Sequence, residues 1–254
     1  MKVVVTGAGG GIGRALARRF AADGAKVVVN DLDAAAAQAV AAEINGIAVP
    51  GNVANEADVQ RVVDTAYSEL GGVDLFCANA GILTTGDADA PDADWEKAWQ
   101  VNVMSHVYAT RALLPRYLEN GGGRIIFTVS AAGLLTLLGS APYSVTKHAA
   151  LGYAEWLRAT YSHRGITVQA LCPQGVNTAM MSGDGESASR SLLAAGALEP
   201  EDVAEVVVKA LDGDSFLILP HPEVAEYYQR RATEPDRWLG GMNKIQRNFF
   251  PADS

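Results

Sequence analysis

The sequence predicts an α/β protein built on a doubly wound parallel sheet of about seven strands with helices on both faces. Short runs of β-branched residues alternate with stretches of helical periodicity, a pattern typical of strand–helix–strand units. The runs VVV, IIF and LIL are apolar without alternation, as expected of strands buried on both faces. With 254 residues, 49% of them hydrophobic, the chain can form one large core, and we predict a single domain over residues 1–254.

The predicted elements follow one another in a regular order. The strands are KVVVT, KVVVN, GIAVP, VDLFCAN, GRIIFTVS, GITVQALCP and SFLILP. The helices are GRALARRFAADG, AAAAQAVAAEI, EADVQRVVDTAYSEL, WEKAWQVNVMSHVYATRALLPRYL, the segment containing YSVTK, and PEDVAEVVVKALDG. Residues 176–199 lack this rhythm and are rich in Gly and Ser, so we predict a long functional loop there. Residues 221–254 form a C-terminal tail with a further helix.

Composition restricts the partners and the compartment. A formal net charge of −9 without a cluster of Lys and Arg argues against nucleic acid binding. No apolar run reaches the roughly 18 residues that a membrane span needs. Because MKVVVTG begins a strand at once and leaves no room for a leader, we expect a cytoplasmic protein. Cys77 and Cys172 lack metal-ligand spacing, so we expect reduced, buried thiols and no metal site.

Glycines fill the turn between the first strand and the first helix. Gly7, Gly11 and Gly13 in VVVTGAGGGIGRALA permit a tight turn and a close approach of the backbone to a pyrophosphate. The N-terminus of the following helix attracts such an anion. In a strand–turn–helix unit at the start of a doubly wound sheet, this pattern predicts a dinucleotide site.

An acidic residue after the second strand predicts which dinucleotide binds. Asp31 lies 18 residues after Gly13, where a carboxylate accepts hydrogen bonds from both adenosine ribose hydroxyls and repels a 2′-phosphate. Gly10, rather than Lys or Arg, precedes Gly11, so no cation is provided there for an extra phosphate. We therefore predict NAD rather than NADP. The alternative is that Asp31, Asp33 or both cap the next helix.

Tyr143 precedes Lys147 by four residues in YSVTK, which places the two side chains one helical turn apart. A free tyrosine has a pKa of about 10, and an adjacent cation stabilises the phenolate and lowers that pKa. The pair is therefore a candidate acid/base, although the same spacing also occurs in amphipathic surface pairs. Ser130 ends the strand GRIIFTVS, where it is either a functional hydroxyl or a turn residue. No G-x-S-x-G elbow surrounds Ser130, which argues against a serine hydrolase.

Several segments together resemble the short-chain dehydrogenase/reductase family in its single-domain branch. The matching segments are TGAGGGIG at 6–13, CANAG at 77–81, Ser130, YSVTK at 143–147 and PQGVNT at 173–178. The resemblance implies a Rossmann-type fold and an oxidoreductase that transfers a hydride between NAD(H) and a secondary alcohol or ketone. It also implies a homotetramer or homodimer and a small-molecule substrate.

The resemblance implies a catalytic tetrad of Asn102, Ser130, Tyr143 and Lys147. Tyr143 would be the acid/base, and Lys147 would lower its pKa and hold the nicotinamide ribose. Ser130, 13 residues before Tyr143, would hydrogen-bond the substrate oxygen. Asn102 would support the lysine through a water molecule.

The resemblance also implies the cofactor contacts. Asn79 would stabilise the central sheet and border the cofactor, with Ala78 in place of the family's preceding Asn. Asn52 stands where the family usually has an Asp that contacts adenine, and Gln174 where it has Gly. Thr178 would meet the nicotinamide carboxamide, or else cap a helix. The predicted cofactor-binding residues are Gly7, Gly11, Ile12, Gly13, Asp31, Asn52, Val53, Asn79, Ala80, Gly81, Tyr143, Lys147, Pro173, Val176 and Thr178.

Apolar residues near the predicted site indicate a hydrophobic secondary alcohol as substrate, with 176–199 as the substrate loop. The candidate lining residues are Leu134, Leu135, Leu137, Leu138, Met180 and Met181, although core packing is the default for each. The main alternative is a non-catalytic regulator that senses redox state by binding NAD(H). Epimerisation or dehydration of a nucleotide sugar is disfavoured, because that branch of the family carries a sizeable C-terminal domain.

Overall fold

A computed structural model describes residues 1–180, 194 and 196–249 and contains one seven-stranded parallel sheet. The strands are β1 (Lys2–Thr6), β2 (Lys26–Asn30), β3 (Ile47–Ala48), β4 (Leu75–Ala78), β5 (Gly123–Thr128), β6 (Ile166–Leu171) and β7 (Leu217–Ile218). Their spatial order is β3-β2-β1-β4-β5-β6-β7, and every neighbouring pair is parallel. The predicted doubly wound sheet is confirmed. Its strand order reverses between β1 and β4, and ligands bind at such a point in this class of fold.

Helices connect the strands on both faces. They are α1 (Gly11–Ala22), α2 (Ala34–Glu43), α3 (Glu56–Leu70), α4 (Asp92–Trp99), α5 (Ser105–Glu119), α6 (Ala132–Leu135), α7 (Ala141–Tyr161), α8 (Pro200–Ala210), α9 (Glu223–Thr233) and α10 (Pro235–Phe249). The sequence predicts one continuous helix from WEKAW to LPRYL, but a π-helical turn, Gln100–Met104, separates α4 from α5. A short 3₁₀ turn, Ser162–Arg164, follows α7.

The core lies on both sides of the sheet, as the apolar strands predict. Val4 of β1 packs on the side that carries α3, α5 and α7, whereas Val3 and Val5 pack on the side of α1, α2 and α8. All three are fully buried. Because successive strand residues point to opposite faces, burial of both faces requires an apolar run without alternation.

Several local predictions concern residues beside the sheet. Asp33 caps α2, because its Oδ1 accepts hydrogen bonds from the backbone N–H groups of Ala35 at 2.9 Å and Ala36 at 3.1 Å. The two cysteines, Cys77 and Cys172, are free and buried, as expected.

Within the described residues, no helix combines the length and apolar character that spanning a membrane requires.

Two predicted segments are described only in part. The predicted loop 176–199 falls mainly on 181–193 and 195, which lie outside the described residues, as do 250–254 at the end of the tail. A bridge between Val176 and Leu198 joins the two ends of the loop. The single domain, the cytoplasmic location and the homo-oligomer stay predictions.

Candidate active site

A cleft of about 590 Å³ opens at the carboxyl ends of the strands, beside the point where the strand order reverses. The predicted site residues that line it are Gly7, Gly11, Ile12, Asp31, Asn52, Val53, Asn79, Ala80, Gly81, Ser130, Tyr143, Lys147, Pro173, Val176 and Thr178. The remaining two, Gly13 and Asn102, are buried outside this lining. The fold therefore brings segments far apart in sequence to one cleft.

The glycine turn leaves the start of α1 open to a ligand. Gly7 and Gly11 have φ angles of 62° and 50°, which favour glycine. A Cβ atom on Gly13 would lie 2.1 Å from the carbonyl oxygen of Gly7, whereas one on Gly10 would meet no atom within 4 Å. Gly10 is the N-cap of α1 without a side-chain cap, and the first turn holds no acidic residue. The N–H groups of that turn can therefore receive an anion such as a pyrophosphate.

Asp31 joins the glycine turn to the end of β2. Its Oδ2 accepts a hydrogen bond from the backbone N–H of Gly9 at 2.8 Å, and its Oδ1 accepts one from Asp33 N at 3.0 Å. A carboxylate has about four acceptor sites, so both oxygens retain capacity for ribose hydroxyls. Asp33, rather than Asp31, caps α2, and Asp31 lines the cleft.

Asn52 lines the same end of the cleft but already has local partners. Its Oδ1 accepts a hydrogen bond from Ala54 N at 2.9 Å, and its own N–H donates to Asp58 Oδ2 at 2.9 Å. With the oxygen engaged in this turn, the amide Nδ2 is the group that the predicted adenine contact would use.

The Asn79 side chain connects three strand ends by hydrogen bonds. Its Nδ2 donates to the carbonyl oxygen of Thr6 at 3.0 Å, and its Oδ1 accepts from Thr128 Oγ1 at 3.1 Å. The Thr6 hydroxyl in turn accepts the N–H groups of Asn79 and Ala80. Asn79 therefore connects the ends of β1, β4 and β5, and its role beside the cofactor stays a prediction. Sequence patterns do not identify either threonine, because the only signal is a hydroxyl at the end of a buried strand.

Three predicted catalytic residues lie together at the other end of the cleft. Ser130 and Tyr143 are each 9% exposed and Lys147 is 3% exposed, so the surface-pair alternative for YSVTK is wrong. The Ser130 hydroxyl hydrogen-bonds the Tyr143 side chain. Lys147 Nζ donates to the carbonyl oxygen of Thr128 at 3.0 Å and lies 5.6 Å from the centroid of the Tyr143 ring. Ser130 has a φ of 151°, a strained conformation of the kind that occurs at functional sites.

Burial dominates the electrostatics of this group. It raises the pKa of Tyr143, while the hydrogen bond from Ser130 acts in the lowering direction. Burial also lowers the pKa of Lys147 to about 8. The YSVTK spacing predicts that Lys147 lowers the pKa of Tyr143, but in the chain alone that pKa is raised. The physical reason is that loss of water disfavours the phenolate more than the available partners stabilise it.

Asn102 sits in the π-helical turn, fully buried. Its Oδ1 accepts a hydrogen bond from Ile82 N at 2.9 Å, and its Nδ2 donates to Ile82 O at 3.0 Å and to Thr146 Oγ1 at 3.1 Å. The Thr146 hydroxyl contacts the carbonyl oxygens of Pro142 and Tyr143. Asn102 therefore connects the segment after β4 to the start of α7. Its water-mediated support of the lysine stays a prediction.

The apolar lining differs from the expected one. Leu134 and Leu135 pack into the main core, and Leu137 packs against Tyr143 in a separate cluster. Among the described residues, these three leucines and Leu138 do not line the cleft. Met180 lines it as expected, and Leu83 lines it as well. Met181 lies outside the described residues.

Comparison with known proteins identifies relatives over most of the chain. A family model described as short chain dehydrogenase matches residues 1–188. The 1-deoxy-11-beta-hydroxypentalenate dehydrogenase of Streptomyces exfoliatus is 38% identical over 229 residues, covering 87% of this chain and 82% of that protein. The cyclohexanol dehydrogenase of Acinetobacter sp. (strain SE19) is 32% identical over 225 residues, covering 85% and 89%.

Solved structures are similar over most of the chain. A short chain dehydrogenase/reductase from Burkholderia phymatum in complex with NAD has a TM-score of 0.85 at 29% identity, covering 92% of this chain and 93% of that one. A 3-ketoacyl-(acyl-carrier-protein) reductase from Brucella melitensis complexed with NADH has a TM-score of 0.78 at 31% identity, covering 85% and 93%.

Proposed function

The chain belongs to the short-chain dehydrogenase/reductase family, and on that premise we propose that it transfers a hydride between NAD(H) and a hydrophobic secondary alcohol or ketone. One observation carries the proposal. A single cleft has an open helix N-terminus beside Asp31 at one end and the buried Ser130, Tyr143 and Lys147 at the other. NAD(H), when bound, supplies or accepts the hydride.

The residues of the cleft fit that cofactor. The N–H groups at the start of α1 would hold the pyrophosphate, and Asp31 would accept hydrogen bonds from the adenosine ribose. Lys147, Val176 and Thr178 would hold the nicotinamide end. A Cβ atom on Gly11 would lie 2.9 Å from Thr178 Cγ2, so Thr178 lies directly beside the glycine turn.

The side chains at the other end would handle the proton. The Tyr143 hydroxyl donates its proton to the substrate oxygen in reduction and receives one in oxidation. Its raised pKa suits the donor role, whereas oxidation requires additional positive charge near the phenolate. Ser130 Oγ hydrogen-bonds the same substrate oxygen, and the burial of both groups excludes bulk water.

The alternative of a non-catalytic redox sensor is not favoured. A chain that only binds the cofactor does not need a buried Tyr143 hydroxyl that hydrogen-bonds Ser130 in the same cleft. The two curated relatives described above are both named dehydrogenases.

The test is oxidation of a panel of cyclic secondary alcohols with NAD⁺, followed by NADH absorbance. Tyr143→Phe removes only the reacting hydroxyl, and we expect it to lower kcat/KM by about 10²–10⁴-fold. Tyr161→Phe, the same change at the far end of α7, is the matched control and should keep normal turnover. Turnover that survives in Tyr143→Phe contradicts the proposed acid/base.

A further inference from the structure

Gln174 stands at the substrate end of the cleft. It lines the cleft together with Ser130 and Tyr143, and it directly follows Pro173 after β6. The carbonyl oxygen of Pro173 accepts a hydrogen bond from Ala131 N at 2.8 Å and lies 3.5 Å from Ser130 Oγ. The position of Gln174 is therefore fixed relative to the reacting groups.

The segment after β7 fixes the backbone of Gln174. Its N–H donates to Nδ1 of His221 at 3.1 Å. His221 is 5% exposed, so its ring has little freedom to move. A ring nitrogen that accepts a hydrogen bond carries no proton, so Nδ1 is the acceptor of His221 in this contact. His221 is thus a positioning residue for Gln174.

The side chain of Gln174 has a defined orientation. Its Nε2 donates to Oε1 of Glu223, at the start of α9, over 3.4 Å. A carboxylate only accepts hydrogen bonds, so the amide must turn its nitrogen toward Glu223. The amide oxygen, an acceptor, then faces away from Glu223.

From this arrangement we propose that Gln174 and Glu223 select the substrate, favouring an alcohol that carries a second hydroxyl group and disfavouring one that carries a carboxylate. The hydroxyl would donate to the amide oxygen of Gln174. A carboxylate would face the amide oxygen of Gln174, which cannot donate a hydrogen bond to it, and would be repelled by the charge of Glu223. This inference rests on the proposed function and adds the substrate class.

The test compares three probes that differ at one ring position: cyclohexanol, cyclohexane-1,4-diol and 4-hydroxycyclohexanecarboxylate. In the unmodified protein we expect kcat/KM for the diol to exceed that for cyclohexanol by about threefold to tenfold, the range of one net hydrogen bond. Gln174→Met keeps the size of the side chain and removes the amide, so the ratio should fall to about one.

The charge is tested separately. Glu223→Gln keeps an acceptor for Gln174 and removes the charge, and we expect it to raise relative turnover of the hydroxy acid by about threefold to fivefold. Glu226→Gln, on the same helix and paired with Arg230 on the surface, is the matched control and should leave all ratios unchanged. Thermal unfolding of each variant shows whether it is folded.

Two results overturn the inference: a diol preference that persists in Gln174→Met, or rejection of the hydroxy acid that persists in Glu223→Gln. If the unmodified protein oxidises none of the three, the proposed function fails instead. Calorimetric binding of the same probes to the protein with NADH then measures the selectivity without turnover, and equal affinities for the diol and the hydroxy acid overturn the inference.

Discussion

Asp31 has two tasks, because it holds Gly9 in the glycine turn and presents its charge to the cleft. Arg14 does not supply a cation for a 2′-phosphate, because its guanidinium pairs with Glu43 at 3.0 Å. Discrimination against NADPH should therefore depend on the charge of Asp31. Removal of the charge alone, with the hydrogen bond to Gly9 kept, separates the two tasks.

Asp31→Asn should lower the ratio of the NADPH and NADH dissociation constants by about tenfold, equivalent to about 1.4 kcal/mol. Nucleotide fluorescence titration measures both constants. Asp33→Asn is the matched control, since asparagine also caps helices and the neighbouring charge is lost. An unmodified protein that binds NADPH more tightly than NADH would show that Asp31 does not select the cofactor.

The hydrogen bond between Ser130 and Tyr143 acts to lower the pKa of the phenol, against the larger effect of burial. Its removal favours the protonated form, so the pKa should rise. For Ser130→Ala we expect the pH profile of alcohol oxidation to shift to higher pH by about one unit and kcat to fall by about 10²–10³-fold. Ser144→Ala is the matched control. The Ser144 hydroxyl accepts a hydrogen bond from Leu137 N at 2.9 Å and donates one to Leu137 O at 3.0 Å, so its loss should keep the midpoint.

The residues that sequence patterns identified are those with a fixed spacing within one segment, such as Tyr143 and Lys147. The direction of the Tyr143 pKa shift depends on burial, which the spacing does not determine. The partners Thr146 and His221 depend on contacts between distant segments, with Thr146 meeting Asn102 and His221 meeting Gln174. No local pattern marks such residues.

At the scale of elements, strand and helix order followed from the β-branched runs and the helical period. The π-helical turn Gln100–Met104 did not follow from the sequence, because the apolar period continues across it. Within this turn, Asn102 contacts Ile82 and Thr146, which belong to other segments. Such turns occur often at functional sites. Tertiary contacts therefore override the local period at this site.

The contact between α5 and β5 buries an unpaired histidine. His106 is 1% exposed, its ring lies 4.7 Å from that of Phe127, and neither ring nitrogen has a partner among the described residues. Burial, assisted by the charge of Lys147, lowers the pKa of His106 to about 3. Above pH of about 6.5 the ring is neutral in both folded and unfolded chains and has no pH-dependent effect.

Between pH of about 6.5 and the folded-state value, only the unfolded chain binds this proton, so stability falls as pH falls. By pH 5 the loss from His106 should be about 2 kcal/mol. We expect His106→Leu to lose correspondingly less unfolding free energy between pH 7 and pH 5 in urea titrations. His163→Gln, in the exposed 3₁₀ turn, should behave as the unmodified protein does. Equal acid sensitivity of His106→Leu and the unmodified chain contradicts this account.

At the scale of the whole molecule, the cleft is lined by the loops that follow β1, β2, β3, β4, β5 and β6. The two loops beside the reversal of strand order meet closely, since a Cβ atom on Gly7 would lie 2.8 Å from Ala80 Cα. A ligand that fills the cleft contacts loops on both sides of that point. Its binding should therefore stabilise the folded chain as a unit.

NADH at about 100 times its dissociation constant should stabilise the protein by about 2.7 kcal/mol, which raises the Tm by about 5–10 °C for a chain of this size. Gly10→Glu should abolish this shift. A Cβ atom there meets nothing within 4 Å, so the fold is preserved while a carboxylate occupies the anion-binding end of α1. Gly152→Glu introduces the same charge at an open position of α7 and should keep the shift. A full shift in Gly10→Glu would show that the cofactor does not bind at the glycine turn, because the added carboxylate repels a pyrophosphate only at that end of the cleft.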